Sequence, residues 1–459
     1  RPRRTGPDSV SVPVGRNAGG VYGLIRADSA PKDAVEEDRQ EDMRANLFSA
    51  LFLTVLVGSA SASTEPVVGN AFFRGVADQR MVLVAKDAGT AYLLESDGNR
   101  PRVVKRFSNI LMGANGGDKL FEADKRTPEG VYYIQRYIPP KELAAIYGDG
   151  AFPLNYPNIV DRIEDKTGYG IWLHGVDEDA ENKTSTQGCV AFNNAKLNEL
   201  KQVLDIGTPV VITKQADFLK PERYRDRRQE LMDRLQGFLT AWEQSDFQAL
   251  ESYIHPEFRN GDGQGAEGYL QEKRKLMRYY PERRVEAHNL RVYKENGHRL
   301  VYDYNQFYCA ANVAAYGRKR LYFAPHDGKN RVIAEEYFAR SAAPLIRKRV
   351  RDFVEGWRDA WENEELDDYM AHYAEGFRHN GASRAEWRDY KKGVFAQRTG
   401  MDVGIENLWI RQLRGNRYQV GFDQRFESDD YEDYGVKTLT LAGCPGNFRI
   451  AAEHWRPLP

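Results

Sequence analysis

Hydrophobic and polar positions change their period along this chain. From Arg80 to about Thr213 the apolar residues come in short strand-like bursts: Met81-Val82-Leu83-Val84-Ala85, Ala91-Tyr92-Leu93-Leu94, Val131-Tyr132-Tyr133-Ile134, Gly170-Ile171-Trp172-Leu173 and Val210-Val211-Ile212. Turn residues such as Asp97-Gly98-Asn99 and Asn115-Gly116-Gly117 punctuate this part of the chain. Within it, Leu197 to Leu204 carries a clear helical period, with Leu197, Leu200, Val203 and Leu204 on one face. The pattern predicts a β-rich sandwich or barrel. Beyond Lys220 it gives way to charged amphipathic helices followed by long strands, among them Val301-Tyr302-Asp303-Tyr304 and Arg320-Leu321-Tyr322-Phe323. Helices followed by a run of strands are the order of an α+β unit.

That second pattern occurs twice. Trp242-Glu243 aligns with Trp361-Glu362, Phe258-Arg259 with Phe377-Arg378, and Ala266-Glu267 with Ala385-Glu386, all at an offset of 119. Phe307 aligns with Phe426 at the same offset, while Tyr316-Gly317 and Tyr434-Gly435 fall one residue short. Two copies of one domain, 225–340 and 345–459, account for this. Each is read as a tryptophan-bearing helix, a short helix ending in Phe-Arg, a third helix and then strands.

Length and composition set the outer limits. At 459 residues the chain suits about three domains. With 66 basic against 67 acidic side chains it has no long-range field to attract DNA or an anionic membrane, so nucleic acid is not an expected partner. Met43-Arg44-Ala45-Asn46, the apolar stretch Leu47 to Gly58 and then Ala60-Ser61-Ala62 read as a signal peptide over 43–62, cut after Ala62 and leaving no membrane span. Residues 1–42 then lie upstream of the natural start, and are expected to be disordered or untranslated. Export places the protein in the periplasm, away from ATP.

Three cysteines are too few for a dense disulfide scaffold. Cys309 and Cys444 fall in different copies; free thiols are the first reading and a bridge the alternative. Cys189 stands apart, in Ser185-Thr186-Gln187-Gly188-Cys189-Val190-Ala191-Phe192-Asn193, with His174 fifteen positions upstream in Trp172-Leu173-His174-Gly175. A thiol becomes a strong nucleophile when an imidazole takes its proton, which splits acyl transfer into two easier steps. Against this stands the plain reading of a buried apolar filler. No metal-ligand spacing occurs among the other histidines, and no cofactor motif is present.

His-Gly followed by S-T-x-G-C resembles the active-site signature of the L,D-transpeptidase (YkuD-type) catalytic domain. Thr127-Pro128-Glu129-Gly130-Val131-Tyr132 resembles that family's T-P-x-G-x-Y strand entry. Phe152-Pro153-Leu154-Asn155-Tyr156-Pro157-Asn158, followed by Asp161, resembles the branch that includes cell-shape L,D-carboxypeptidases. The resemblance covers 79–215. It implies that Cys189 attacks a carbonyl of a peptidoglycan stem peptide, and that His174 takes the thiol proton and returns it to the departing amine. It further implies that the Gly175 carbonyl orients the imidazole. Backbone N–H groups of Gly188 and Cys189 are the expected oxyanion donors.

Weaker expectations attach to neighbouring residues. Ser185 or Thr186 either holds the turn or is a solvated turn residue. Asn193 either orients the loop or caps the following helix. Tyr156, Asn158 and Asp161 are groove candidates, with Tyr156 equally a core residue. Lys119 and Arg126 are candidates for a substrate carboxylate. Gln187 stands where many family members carry a histidine and bears on the choice of acceptor.

The C-terminal copies resemble the cone of the nuclear transport factor 2-like (SnoaL-type) superfamily, which hosts enzymes and binding modules alike. The expected molecule is therefore a multidomain chain: a β-rich L,D-transpeptidase domain and two α+β cone domains whose pockets take a glycan or protein ligand. Its expected activity is L,D-transpeptidation, with L,D-carboxypeptidation and an inactive wall-binding scaffold as alternatives.

Overall fold

The computed structural model describes residues 65–176, 184–295, 299–398 and 400–458. The signal-peptide reading over 43–62 and the segment 1–42 lie outside the described residues. Among the described residues no helix is long and apolar enough to cross a membrane.

The predicted strand bursts form two sheets. Five strands lie in the order Pro101–Ser108, Thr90–Gly98, Val76–Ala85, Pro209–Thr213, Gly130–Tyr133. Three more, Ala151–Pro153, Trp172–Val176 and Val190–Asn193, form a separate small sheet. Both are open, so the barrel alternative is not what forms. Val76–Ala85 runs parallel to Pro209–Thr213, and Trp172–Val176 parallel to Val190–Asn193.

The apolar run 81–85 has a structural cause. Val82 and Val84 point into a core shared with Leu173, Val190, Phe192 and the helix residues Leu197 and Leu200. Met81, Leu83 and Ala85 point the other way, into a core that contains Tyr293, Val301 and Tyr322 of the first C-terminal copy. A strand covered on both faces reads as continuous rather than alternating. The helix itself spans Asn194–Lys201, starting earlier than its leucines suggest because Asn193 caps it through Lys196 N (3.0 Å).

The first copy is joined to the catalytic unit by a strand exchange. Ala71–Arg74, from the segment before the catalytic sheet, pairs antiparallel with Arg283–Lys294 and becomes the sixth strand of the first copy's sheet. Across the same contact the Tyr133 hydroxyl donates to Asp303 (2.9 Å), which Arg318 grips with two bonds of 2.6 Å. The Arg320 guanidinium lies 3.4 Å from the Tyr133 ring centroid.

The second copy carries a four-stranded sheet, Asp402–Gln412, Arg417–Ser428, Tyr431–Ala442 and Arg449–Pro457. Cys309 and Cys444 form a disulfide between the copies, which corrects the reading of them as free thiols. Arg349 of the second copy pairs with Glu286 of the first (2.5 Å) beside it.

Two details of the repeat differ from the sequence reading. Phe258-Arg259 lies on the strand Ile254–Asn260, because the short helix before it ends at Ser252. The register also shifts by one residue before the third helix. Buried Tyr269, Lys273 and Met277 match Trp387, Lys391 and Phe395, an offset of 118. Lys319 and Glu335, paired at 2.9 Å, match Lys437 and Glu453, paired at 3.3 Å. The Trp242–Tyr308 stack matches Trp361–Phe426, so Tyr308 rather than Phe307 is the counterpart of Phe426.

Candidate active site

Strand register brings the two signature segments together. Leu173 pairs with Val190 and His174 with Ala191. Cys189, one residue before Val190, therefore falls level with Trp172, on the sheet face shared by Trp172 and His174. The half-buried thiol donates to the Gly170 carbonyl at 3.3 Å. Burial pushes its pKa up, with the Trp172 N–H and the charge of Lys119 working in the opposite direction. At rest the nucleophile is thus a protonated thiol.

His174 is buried, and its Nδ1 lies 2.7 Å from the Gly175 carbonyl oxygen. A carbonyl only accepts, so Nδ1 carries the proton and Nε2 is left as the basic nitrogen. Gly175 has no room for a side chain. A Cβ there would meet Asn194 Oδ1 at 2.4 Å and the Asp149 nitrogen at 2.9 Å.

The loop before Cys189 is organised by Thr186. Its hydroxyl donates to the Cys189 carbonyl (2.7 Å) and accepts from the Gly188 N–H (3.0 Å). This fixes the turn and engages the Gly188 N–H, one of the two expected oxyanion donors, with the Thr186 hydroxyl. The Cys189 N–H is the remaining donor of the expected pair. Gly188 is required for another reason. Its φ is 137°, and a Cβ would lie 2.8 Å from the Arg126 carbonyl oxygen. Gln187 is exposed and Ser185 half-buried at the same turn.

The other expected groove residues are engaged within the fold. Asn158 is buried as the N-cap of the Ile159–Ile163 helix, accepting from Val160 N (2.8 Å) and Asp161 N (3.0 Å), with Asp161 closing the capping box. Tyr156 is buried with its hydroxyl on the Thr167 carbonyl (3.0 Å). Asp161 pairs with Lys166 (3.1 Å). Lys119 is 3% exposed and pairs with Asp124 at 2.8 Å. Burial works against that carboxylate, but Lys119 and nearby backbone N–H groups pull it down to about 2. Arg126 stays at the edge of the cysteine loop, half-buried, its Nε without a partner among the described residues.

One aromatic residue, Tyr147, escaped the sequence reading. The Tyr147 ring lies 4.8 Å from the Trp172 ring and meets His174 edge-on at 5.1 Å. Its turn is tied down where Asp149 N donates to Asn194 Oδ1 (2.9 Å) and Asn198 Nδ2 to Asp149 Oδ2 (2.7 Å). No local motif marks Tyr147. It reaches the site only through the long-range pairing of Ala151–Pro153 with Trp172–Val176.

The comparisons bear on the domains and the fold. Residues 79–212 match the model of the L,D-transpeptidase catalytic domain (YkuD), and 230–336 and 349–454 each match that of the Cds6 C-terminal NTF2-like domain. Among solved structures, Bd1075 of Bdellovibrio bacteriovorus is 24% identical, with a TM-score of 0.55 over 60% of this chain and 99% of that one. A point mutant of the helical cell shape determining protein Pgp2 from Campylobacter jejuni is 24% identical, with a TM-score of 0.50 over 58% of this chain and 93% of that one. At this identity both likenesses concern the fold. No curated protein sequence matches the chain. The protein joins an L,D-transpeptidase catalytic domain to two C-terminal NTF2-like domains.

Proposed function

We propose that the protein is a periplasmic L,D-transpeptidase that acts on peptidoglycan stem peptides through a Cys189 acyl-enzyme. The observation that carries this is the His174–Gly175 contact at 2.7 Å on the strand beside Cys189, which leaves Nε2 as the base. In the proposed cycle Nε2 accepts the thiol proton as sulfur attacks the stem-peptide carbonyl. The imidazolium then protonates the departing D-amino acid amine, and an incoming acceptor breaks the thioester. The Cys189 N–H supports the oxyanion, and Tyr147 and Trp172 wall the substrate. Arg126, whose backbone carbonyl lies against Gly188, is the proposed cation for a substrate carboxylate. Residues Met43 to Ala62 supply the export signal in this reading. The Cys309–Cys444 disulfide supports it, since such bridges persist in oxidising compartments.

A second reading has water as the acceptor, giving an L,D-carboxypeptidase that trims tetrapeptide stems to tripeptides. It draws support from the Cds6-type NTF2-like domains behind the catalytic domain and from the likeness in fold to the helical cell shape determining protein Pgp2. Incubation of the mature chain with disaccharide tetrapeptides, with and without an added amine such as glycine, separates the two. Cross-linked or exchanged products establish the transpeptidase, and tripeptide in the absence of amine establishes the carboxypeptidase. Neither product would leave a wall-binding scaffold.

A further inference from the structure

Residues 109–129 link the strands Pro101–Ser108 and Gly130–Tyr133 as irregular backbone, and this link walls the cysteine loop. Gly113 bridges to Thr186, the Ala114 N–H donates to the Thr186 carbonyl (3.2 Å), and the Arg126 carbonyl lies against Gly188. The link also carries Lys119, whose charge bears on the Cys189 thiol, and the guanidinium of Arg126. Irregular backbone has no ladder to fix its shape, so the side chains that grip it decide where its groups stand.

Asp118 is the grip. Its Oδ1 accepts from the Glu129 N–H (2.8 Å), its carbonyl from Arg126 Nη1 (3.4 Å) and its Oδ2 from Lys166 Nζ (2.7 Å). Lys166 is buried, and it also reaches Asp161 (3.1 Å) and Glu164 (3.2 Å). Glu164, which ends the Ile159–Ile163 helix, is held in turn by two guanidinium nitrogens of Arg299, Nη1 on Oε2 at 3.2 Å and Nη2 on Oε1. Arg299 belongs to the first NTF2-like copy, one residue before its strand Leu300–Ala310. A continuous chain of charge-assisted bonds thus runs from that copy to the wall of the cysteine loop.

The Arg299–Glu164 pair is not what holds the two domains together. The exchanged strand Ala71–Arg74 and the shared apolar core do that. The two side chains are 33% and 25% exposed, and a pair that open to water adds only about 0–1 kcal/mol to stability. What a two-nitrogen fork supplies is orientation.

We infer that the first NTF2-like domain serves the catalytic site as a positioning element, with Arg299 as a positioning residue that acts through Glu164, Lys166 and Asp118 on Arg126 and the cysteine loop. Its effect on turnover rests on the Cys189 acyl-enzyme reading; its effect on the thiol rests on the geometry alone.

The test compares Arg299→Met, Arg299→Lys, Glu164→Gln and the double variant Arg299→Met/Glu164→Gln, each in the full mature chain. Cys309 and Cys444 are bridged, so alkylation reads Cys189. The ratio of iodoacetate to iodoacetamide rates reports the cations beside the thiol, because the probes differ by one negative charge. Arg299→Met should lower that ratio by about twofold or more. It should also lower kcat/KM on disaccharide tetrapeptide by about tenfold, with little change in melting temperature. Arg299→Lys should restore most of both. Losses in the double variant should match the larger single loss rather than multiply, as a shared path requires. An unchanged ratio in Arg299→Met, or losses that multiply in the double variant, would overturn the inference. A wild type that turns over no substrate would sink the transpeptidase reading instead, and the alkylation ratio would then decide the inference by itself.

Discussion

The imidazole of His174 is held by the carbonyl of its own neighbour, Gly175, at 2.7 Å. No acidic side chain is needed to fix the tautomer, because a carbonyl oxygen accepts only from N–H. The arrangement depends on the absence of a side chain at 175, where a Cβ would collide with Asn194 and the Asp149 backbone. Gly175→Ala should therefore lower kcat/KM by about a hundredfold or more through displacement of the carbonyl, an effect of the size seen for small misplacements of catalytic groups. Steady-state kinetics on a tetrapeptide substrate, with a melting curve to confirm folding, checks this.

The resting thiol gives a pH signature. Burial raises the Cys189 pKa above its ordinary value, so the neutral form predominates at pH 7. Alkylation by iodoacetamide in the absence of substrate should be slow at neutral pH and climb with an inflection above about 8.5, the ordinary thiol value. A plateau of fast alkylation below pH 7 would instead reveal a preformed thiolate–imidazolium pair.

Thr186 locks the cysteine loop by bonding on both sides of Gln187-Gly188. Thr186→Val keeps the shape and removes both bonds. It should cost about 1–3 kcal/mol in transition-state stabilisation, read as about a tenfold to hundredfold loss in kcat with a smaller change in melting temperature.

At the domain contact, Glu295 accepts from the Val131 N–H (3.2 Å) and burial pushes its pKa up to about 7. A carboxyl whose folded pKa exceeds its unfolded value stabilises the fold fully below the unfolded value, about 4.3, and loses that contribution as pH rises through the folded one. Stability should thus fall between about pH 4.3 and 7 by on the order of 3 kcal/mol from this group. Glu295→Gln keeps the acceptor and should flatten the decline, as urea midpoints at pH 5 and pH 8 will show.

The Cys309–Cys444 bridge spans 135 positions of sequence. Closing so long a loop restricts the unfolded chain, and its removal should cost about 3–5 kcal/mol. Cys444→Ser and reduction by dithiothreitol should lower the melting temperature by similar amounts and leave the initial rate at Cys189 largely unchanged.

What was legible in the sequence followed local rules. The strand bursts, the duplicated C-terminal unit and the Cys189/His174 pair are carried by short-range pattern, and the structure places His174 on a strand and Cys189 just before the parallel strand beside it. Asn158 was misjudged although its signal was present: Asn-x-x-Asp before an apolar turn is a capping box, and capping consumes the side chain. The remaining gaps are non-local. Tyr147 and the Ala71–Arg74 strand owe their positions to pairing with distant elements. The one-residue slip within the repeat is hinted at by Tyr316-Gly317 and Tyr434-Gly435, and the side chains that meet inside each cone place it before the third helix.

The most direct test is the turnover of purified disaccharide tetrapeptide by the mature chain and by its Cys189→Ala variant, followed by mass spectrometry of products and of the acid-quenched protein. Wild type should release D-alanine and carry a disaccharide-tripeptide adduct on Cys189, while the variant shows neither. Equal product formation by both proteins, or turnover with no adduct on Cys189 at any time, would contradict a cysteine acyl-enzyme.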